Sequence, residues 1–509
     1  MRERARRRGV RGMGLAAAAA AVIVACAPTT TSAPAGLDRI ERIIVIYPEN
    51  RSFDHLYGLF PGANGLSRAT PEQMTQVDHD GRPFATLPPV WRQGGTREPD
   101  PRFPRDLPNR PFRLDAPPIV LPPSQQIRNL VHRYYQNQEQ IADGRNNRFA
   151  AISDAGGLVM GYYDGSQLPM WQVAREFTLA DHFFMAAYGG SYLNHFWLVC
   201  ACTAQDPAVG AKERAQVDEM GRLRRRPDSP ASALQGAPRF LDGEYTPDGF
   251  AVNTAQPPYQ PSVVPPAAGG DPRFADPAGH PLAPQTMKTV GDTLTAKGVS
   301  WAWYAGAWRQ ALADGMQPRE AKRTVIRQGP ISFQAHHHPF NYFARFAPGT
   351  AARERHLKDY DEMLAAIDAG TLPQVTFYKP RGDVNQHPGY ADVLAGDRHI
   401  AELIARIRRS PIWPTVAIVV TYDENGGWWD HVPPPRGPGW GDRWGPGTRI
   451  PAIVVSPFAR RGFVDATPYD TTSIIKFITR RFGLEPLPGV RARAGDLTNA
   501  FDFGQAPTR

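Results

Sequence analysis

"TVAIVVTYDENGGWWDH", residues 415–431, decides how the chain folds. Its first six residues form a continuous apolar run, which at that length reads as a strand covered on both faces. The run ends in Asp423 and Glu424, followed by Asn425, Gly426 and Gly427. Two adjacent carboxylates just past a buried strand repel each other and lose hydration. Asn-Gly-Gly by itself suits a surface turn. A cation that needs both carboxylates also accounts for the acids, with the glycine pair letting the chain leave the strand.

Four further runs read the same way: "RIIVIY" (42–47), "VSWAWY" (299–304), "QVTFY" (374–378) and "PAIVVS" (451–456). Helical periodicity separates them. Ile400, Leu403, Ile404 and Ile407 follow i, i+3, i+4, i+7 with Asp397 as the expected N-cap. Tyr360, Leu364 and Ile367 form a second stripe before Gly370, and "TTSIIKFITRRFG" (471–483) ends in a glycine stop. The expected fold is α/β, a three-layer sandwich with a central, mostly parallel sheet. Residues 60–125 and 205–283 are rich in proline and poor in periodicity. They read as long excursions from one large domain over residues 40–485, placed to cover its active face, with 486–509 as a loosely packed tail.

The formal charge of the 509-residue chain is +9. Residues 1–25 carry six arginines and one glutamate, so the remainder carries only +4 and nucleic-acid binding ranks last. That basic stretch, followed by a short apolar run, reads as an export signal. "IVAC" ending at Cys26 also matches a lipoprotein box, with 26–39 as a linker and lipid on Cys26 as a membrane anchor. The expected location is exported: periplasmic, secreted or lipid-anchored. Cys200 and Cys202, the other two cysteines, read as buried, inert thiols.

In open parallel sheets, sites form outside the carboxyl ends of the strands. Glu49, Asn50, Asp54 and His55 follow the first strand, Asp423 and Glu424 a later one, and His387 a third. In "AAYGGSYLNHFWLV" (186–199), Gly189-Gly190 places Ser191 at a helix N-terminus, where free N–H groups favour an anion. An N-cap is the ordinary task of a serine there. Leu193 breaks the G-x-S-x-G pattern and disfavours a serine-hydrolase elbow. "FQAHHHPFNYF" (333–343) holds His336, His337 and His338, which cannot all face one point. Oxygen ligands from Glu49, Asn50, Asp423 and Glu424 suit a hard cation or iron. A metal-activated hydroxyl and several histidines suit phosphate-ester hydrolysis through a phosphoserine.

With "ENRSFDH", "HRYYQNQEQI", "GGSYLNHFW", "HHHPFNYF", "QHPGY" and "YDENGGWWDHVPPP" in view, the chain resembles a bacterial phosphoesterase family over roughly residues 40–482. That family contains extracytoplasmic acid phosphatases and phosphatidylcholine-type phospholipases C, with an alkaline phosphatase superfamily fold. The resemblance implies one divalent or trivalent metal ion (calcium, magnesium, manganese or iron) on Glu49, Asn50, Asp423 and Glu424, with Ser191 as further ligand and nucleophile. It also implies that His132, His336, His337 and His387 contact the phosphoryl group or the leaving oxygen. Asp54 and His55 are expected to support the first loop, and His431 to pack behind the site. The acid-phosphatase branch is the closer match because it carries a serine after Gly-Gly, where the phospholipase branch has Gly-Pro-Thr. Small phosphorylated substrates follow. The competing readings are a phospholipase C acting on lipid diesters and a non-catalytic surface lipoprotein that binds phosphate or metal.

Overall fold

The computed structural model describes residues 35–94 and 97–507; the expected export signal and Cys26 lie outside them. Eight strands form the central sheet: β1 Arg42–Ile46, β2 Thr178–Ala180, β3 Trp301–Ala305, β4 Leu357–Asp359, β5 Val375–Lys379, β6 Val416–Thr421, β7 Ala452–Val455 and β8 Phe463–Asp465. Their order is β8-β2-β7-β6-β1-β5-β3-β4. Only β7 runs against its neighbours, pairing antiparallel with β6 and β2; the other pairings are parallel. All five strands expected from continuous apolar runs are present and adjacent.

Every residue of β3, β5, β6 and β7 is buried, as is β1 beyond Arg42. Successive side chains of a strand point to opposite faces, so both faces of the sheet are covered. The covering helices include α1 Tyr134–Ile141, α2 Pro169–Glu176, α3 Ser191–Cys200, α4 Trp308–Gly315, α5 Tyr360–Asp368, α6 Val393–Arg409 and α7 Thr472–Phe482. Helix α2 packs on α6, and α3 on α7. Burying Ile43, Ile44, Val45 and Ile46 at about 1.5–3 kcal/mol each fixes β1 at the centre of the sheet. The polar loop that follows β1 is thereby held in place.

Three local expectations need correction. Helix α6 begins one turn before Asp397: Asp392 is its N-cap, accepting from the Ala395 amide at 2.8 Å. Asp397 instead accepts from the Met170 amide at 2.8 Å, capping α2 from across the helix pair. Cys200 and Cys202 are joined in a disulfide rather than left as thiols. Helix α3 ends at Cys200, and Ala201 takes a left-handed φ of 48° that turns the chain back on itself. Residues 486–507 are packed rather than loose. Phe501 stacks on Phe477 of α7, and Arg491 pairs with the buried Asp470 at 2.6 Å.

Burial pushes the Asp397 carboxyl up to about 7, against the opposing Met170 hydrogen bond. Its second oxygen has no hydrogen-bond partner. Between the ordinary aspartate value of about 3.9 and the native value, the folded chain holds a proton that the unfolded chain has released. Stability therefore falls as pH rises through that window, by about 4 kcal/mol for this group, and is level above it. Asp397→Asn should remove that slope, as read from denaturant midpoints at successive pH values.

Candidate active site

The site lies at the carboxyl ends of β1, β5 and β6 and at the N-terminus of α3. Asn50 leaves β1 with a left-handed φ of 61°, a conformation that asparagine tolerates better than most residues. Its amide donates to Asp423 Oδ1 at 3.0 Å, tying the β1 loop to the β6 loop. Gly426, at φ 62°, makes that approach possible: a Cβ there would lie 2.5 Å from the Asn50 carbonyl oxygen. The glycine pair before the serine serves a similar close approach. A Cβ on Gly189 would meet the Tyr134 amide nitrogen at 2.5 Å, and one on Gly190 the His132 carbonyl oxygen at 2.7 Å.

Gly190, not Ser191, is the N-cap of α3, so the serine hydroxyl is free of capping. Ser191 Oγ donates to Glu49 Oε2 at 3.0 Å and lies 3.5 Å from Asn50 Oδ1. Glu49, Asp423 and Glu424 are fully buried. Asp423 Oδ1 also accepts from the Glu424 amide at 2.8 Å, and one Glu424 oxygen accepts from the Gly426 amide. Asp423 Oδ2 and Glu424 Oε1 have no hydrogen-bond partner. Buried carboxylate oxygens are costly to leave unmatched, and these two lie in the same site as the Glu49 and Asn50 oxygens around Ser191. Burial, then the charge of Asp423, pushes both Glu49 and Glu424 well above the ordinary carboxyl range. The donor set thus fits an oxygen-seeking cation.

Two residues at this centre were not singled out from the sequence. Lys379, the last residue of β5, pairs with Glu49 Oε1 and donates to the Tyr47 carbonyl at 2.9 Å. His195 sits one turn after Ser191, on the same side of α3. It donates Nδ1–H to the Ser191 carbonyl at 2.7 Å and is 3.9 Å from Asp423 Oδ2. Ligand atoms of Glu49, His195 and Asp423 lie within 4.8 Å of one another, close enough to hold a metal ion.

The expected histidines divide between this centre and a cavity of about 620 Å³ that opens from Ser191. His132, His336 and His387 line the cavity. His132 donates Nδ1–H to the Leu130 carbonyl at 2.6 Å, which leaves Nε2 facing Asn50 Nδ2 at 3.5 Å and Glu424 Oε1 at 3.7 Å. His387 has Nδ1 2.6 Å from the Pro388 carbonyl and its ring on Tyr390. His337 turns to the carboxylates, with Nδ1 3.3 Å from Glu49 Oε1. His338 faces away, packed against Trp303 and Trp308, so the first two histidines of the run face the site. Burial pushes all four site histidines below their ordinary value.

Both proline-rich excursions reach the cavity, through Gln93 and through Asn253 and Thr254. Behind the site, Asp54, Asp430 and His431 converge closely enough to suggest a second metal. Arg449 already occupies that position, donating to Asp54 at 3.0 Å and to Asp430 at 2.9 Å, while His431 Nδ1 bonds Asp54 at 2.6 Å. The cluster braces the loop, as expected of Asp54 and His431. His55 stacks on Trp428 in the same brace. Asn194 clamps the 187–190 turn through the Ala187 backbone rather than reaching the cavity.

In this α/β sheet the strand ends bring buried carboxylates that could hold a metal ion to a hydroxyl at a helix N-terminus. The Phosphoesterase family profile matches residues 40–485, and the chain belongs to that family. Phospholipase C A of Mycobacterium tuberculosis is 24% identical over 511 residues, covering 93% of this chain and 79% of the relative. The non-hemolytic phospholipase C of Pseudomonas aeruginosa is 23% identical over 501 residues, covering 92% of this chain and 58% of the relative. Among solved structures, a protein of the alkaline phosphatase superfamily from Vibrio parahaemolyticus aligns with 76% of this chain and 75% of its own. Its identity is 8% and its TM-score 0.32.

Proposed function

We propose that this chain is an exported, metal-dependent acid phosphatase that hydrolyses phosphomonoesters through a phosphoseryl intermediate on Ser191. The observation that carries the reading is the free Ser191 hydroxyl, 3.0 Å from the Glu49 carboxylate and beside two buried carboxylate oxygens without partners. Glu49, Asn50, Asp423, Glu424 and Ser191 would hold one divalent or trivalent ion, with His195 within reach. Such an ion, when bound, lowers the pKa of the serine hydroxyl and offsets the phosphoryl charge.

The first amide groups of α3 face the phosphoryl oxygens. Ser191 Oγ attacks phosphorus as its proton passes to Glu49; the Oγ–P bond forms and the bond to the leaving oxygen breaks. His336, His387 or His132 delivers a proton to that oxygen. Water then cleaves the Oγ–P bond, releasing inorganic phosphate and restoring the hydroxyl. Because burial holds these histidines below the ordinary value of about 6.5, the protonated donor is lost as pH rises through that lowered value. The rate should therefore be highest in acid and fall toward neutrality.

Most of the side chains that line the cavity are polar or charged, which supports a polar ester over a lipid. The second reading, a phospholipase C cleaving phosphodiester lipids, is favoured by the names of both relatives quoted above. Parallel assays of an aryl monoester, a simple diester and phosphatidylcholine across acid and alkaline pH separate the readings. Acid-favoured monoester turnover is the expected result. Preference for the lipid transfers the chain to the second reading. Silence on all three with metal supplied leaves a binding protein.

A further inference from the structure

Two arginines line the cavity, and they differ in how their charge is spent. Arg133 is fully engaged: it pairs with Asp242, reaches Glu244 at 3.2 Å and donates to the Gly243 carbonyl at 2.8 Å. Asp154, the one acid among the described residues that line the cavity, is matched by Arg128 and by the Val131 amide at 2.7 Å. Arg327 has no carboxylate within ion-pair distance among the described residues. Its one side-chain bond runs from Nε to the neutral Gln334 amide oxygen at 3.2 Å, and Gln334 itself lines the cavity.

The backbone holds Arg327 there against its preference. Its φ is 56°, in the left-handed region, as is that of Ser332 at 47°, and both residues line the cavity. Three consecutive amides just before it, of Thr324, Val325 and Ile326, donate to the buried Asp314 carboxylate at 2.9–3.0 Å. Beyond it the loop closes back, with Arg327 N on the Phe333 carbonyl at 2.9 Å and Phe333 N on the Val325 carbonyl at 2.8 Å. A rigidly based loop thus carries a strained, exposed residue whose charge faces the cavity. An observed strain of this kind points to function. The charge is felt within the site: after burial, Arg327 is the largest influence lowering His336.

The phosphoryl end of the cavity already has its receptors in the α3 N-terminus and the histidines, and a volume of about 620 Å³ leaves room for a sizeable leaving group. We infer that Arg327 binds a second anionic group on the substrate, a carboxylate or phosphate carried by the leaving moiety, and so selects esters of anionic alcohols. This deepens the phosphoester reading of the same cavity and rests on it.

The test uses two aryl phosphates matched in leaving-group acidity, one bearing a carboxylate at the far end of the ring. The full chain should prefer the carboxylated ester by about tenfold in kcat/KM, chiefly through KM, as befits a charge-assisted contact. Arg327→Gln should erase that preference, losing about tenfold more on the carboxylated ester than on the neutral one. Arg327→Lys should keep part of it. Equal losses on both esters, or no preference in the parent chain, would overturn the inference. Calorimetric binding of the two matching aryl phosphonates repeats the comparison without turnover. If neither ester is cleaved but the carboxylated phosphonate still binds more tightly, and Arg327→Gln removes the difference, the hydrolytic reading fails while the anion receptor stands. Equal binding of both phosphonates removes the receptor.

Discussion

Ser191→Ala should lower hydrolysis of every phosphate ester by about four to six orders of magnitude, the scale seen when a covalent nucleophile is removed. The fold should be untouched, since Ser191 is not the cap of its helix and its hydroxyl bonds only within the site. The helix keeps Gly190 as N-cap, and His195 keeps its bond to the carbonyl of residue 191, which alanine also supplies. Thermal unfolding of the variant should therefore match the parent within about 1 kcal/mol. Two readouts separate a nucleophile from a bystander. Acid quenching during turnover should trap phosphate covalently on the parent chain and none on the variant. Binding of inorganic phosphate should survive the substitution, because the α3 amides and the cavity histidines remain. A variant retaining a tenth of the parent rate would mean that water, not Ser191, attacks phosphorus.

Much of this arrangement is legible in the sequence. The five long apolar runs could only be strands covered on both faces, and acids placed directly after them could only be costly or functional. The short strands were not legible: β2, β4 and β8 span three residues each, β2 and β4 lying on the edges of the longer β7 and β3, and β8 on the equally short β2. Lys379 was hidden for a related reason. A lysine ending an apolar run reads as the point where the strand meets water. Only the register of β5 against β1, Tyr378 beside Ile46, brings it to Glu49. His195 looked like one more residue of an apolar helix until Ser191 was fixed one turn before it. The third histidine of the run could not be sorted from the first two by spacing, since the aromatic packing of Trp303 and Trp308 decides its direction. The Cys200–Cys202 link depends on a left-handed Ala201 that no helical pattern announces.

Asp423→Asn and Glu424→Gln should each remove metal and activity together while stabilising the metal-free protein. Three fully buried carboxylates, Glu49, Asp423 and Glu424, face one buried lysine, Lys379, so full ionisation of the metal-free centre would leave excess negative charge. Its cost appears in the direction of two groups: burial and then Asp423 raise both Glu49 and Glu424. The native chain therefore keeps protons that the unfolded chain releases above about pH 4.3. Metal-free stability should fall as pH rises from there toward the raised native values. A bound cation supplies the missing charge, and at about 100 times its Kd it should add about 2.7 kcal/mol. Asparagine at 423 can still accept from the Asn50 and Glu424 amides through one oxygen, so the loops stay joined. What it loses is the charge and the second, unpartnered oxygen. The measurement is thermal unfolding of parent and variants, after chelation and again with metal restored, alongside metal content. The parent should gain stability on reloading. The variants should start higher when stripped, show a shallower downward slope with pH because burial still raises the remaining glutamates, and gain little from metal. A variant that kept its metal, its metal-dependent stabilisation and its full rate would show that the carboxylate past β6 belongs to the loop and not to the ion.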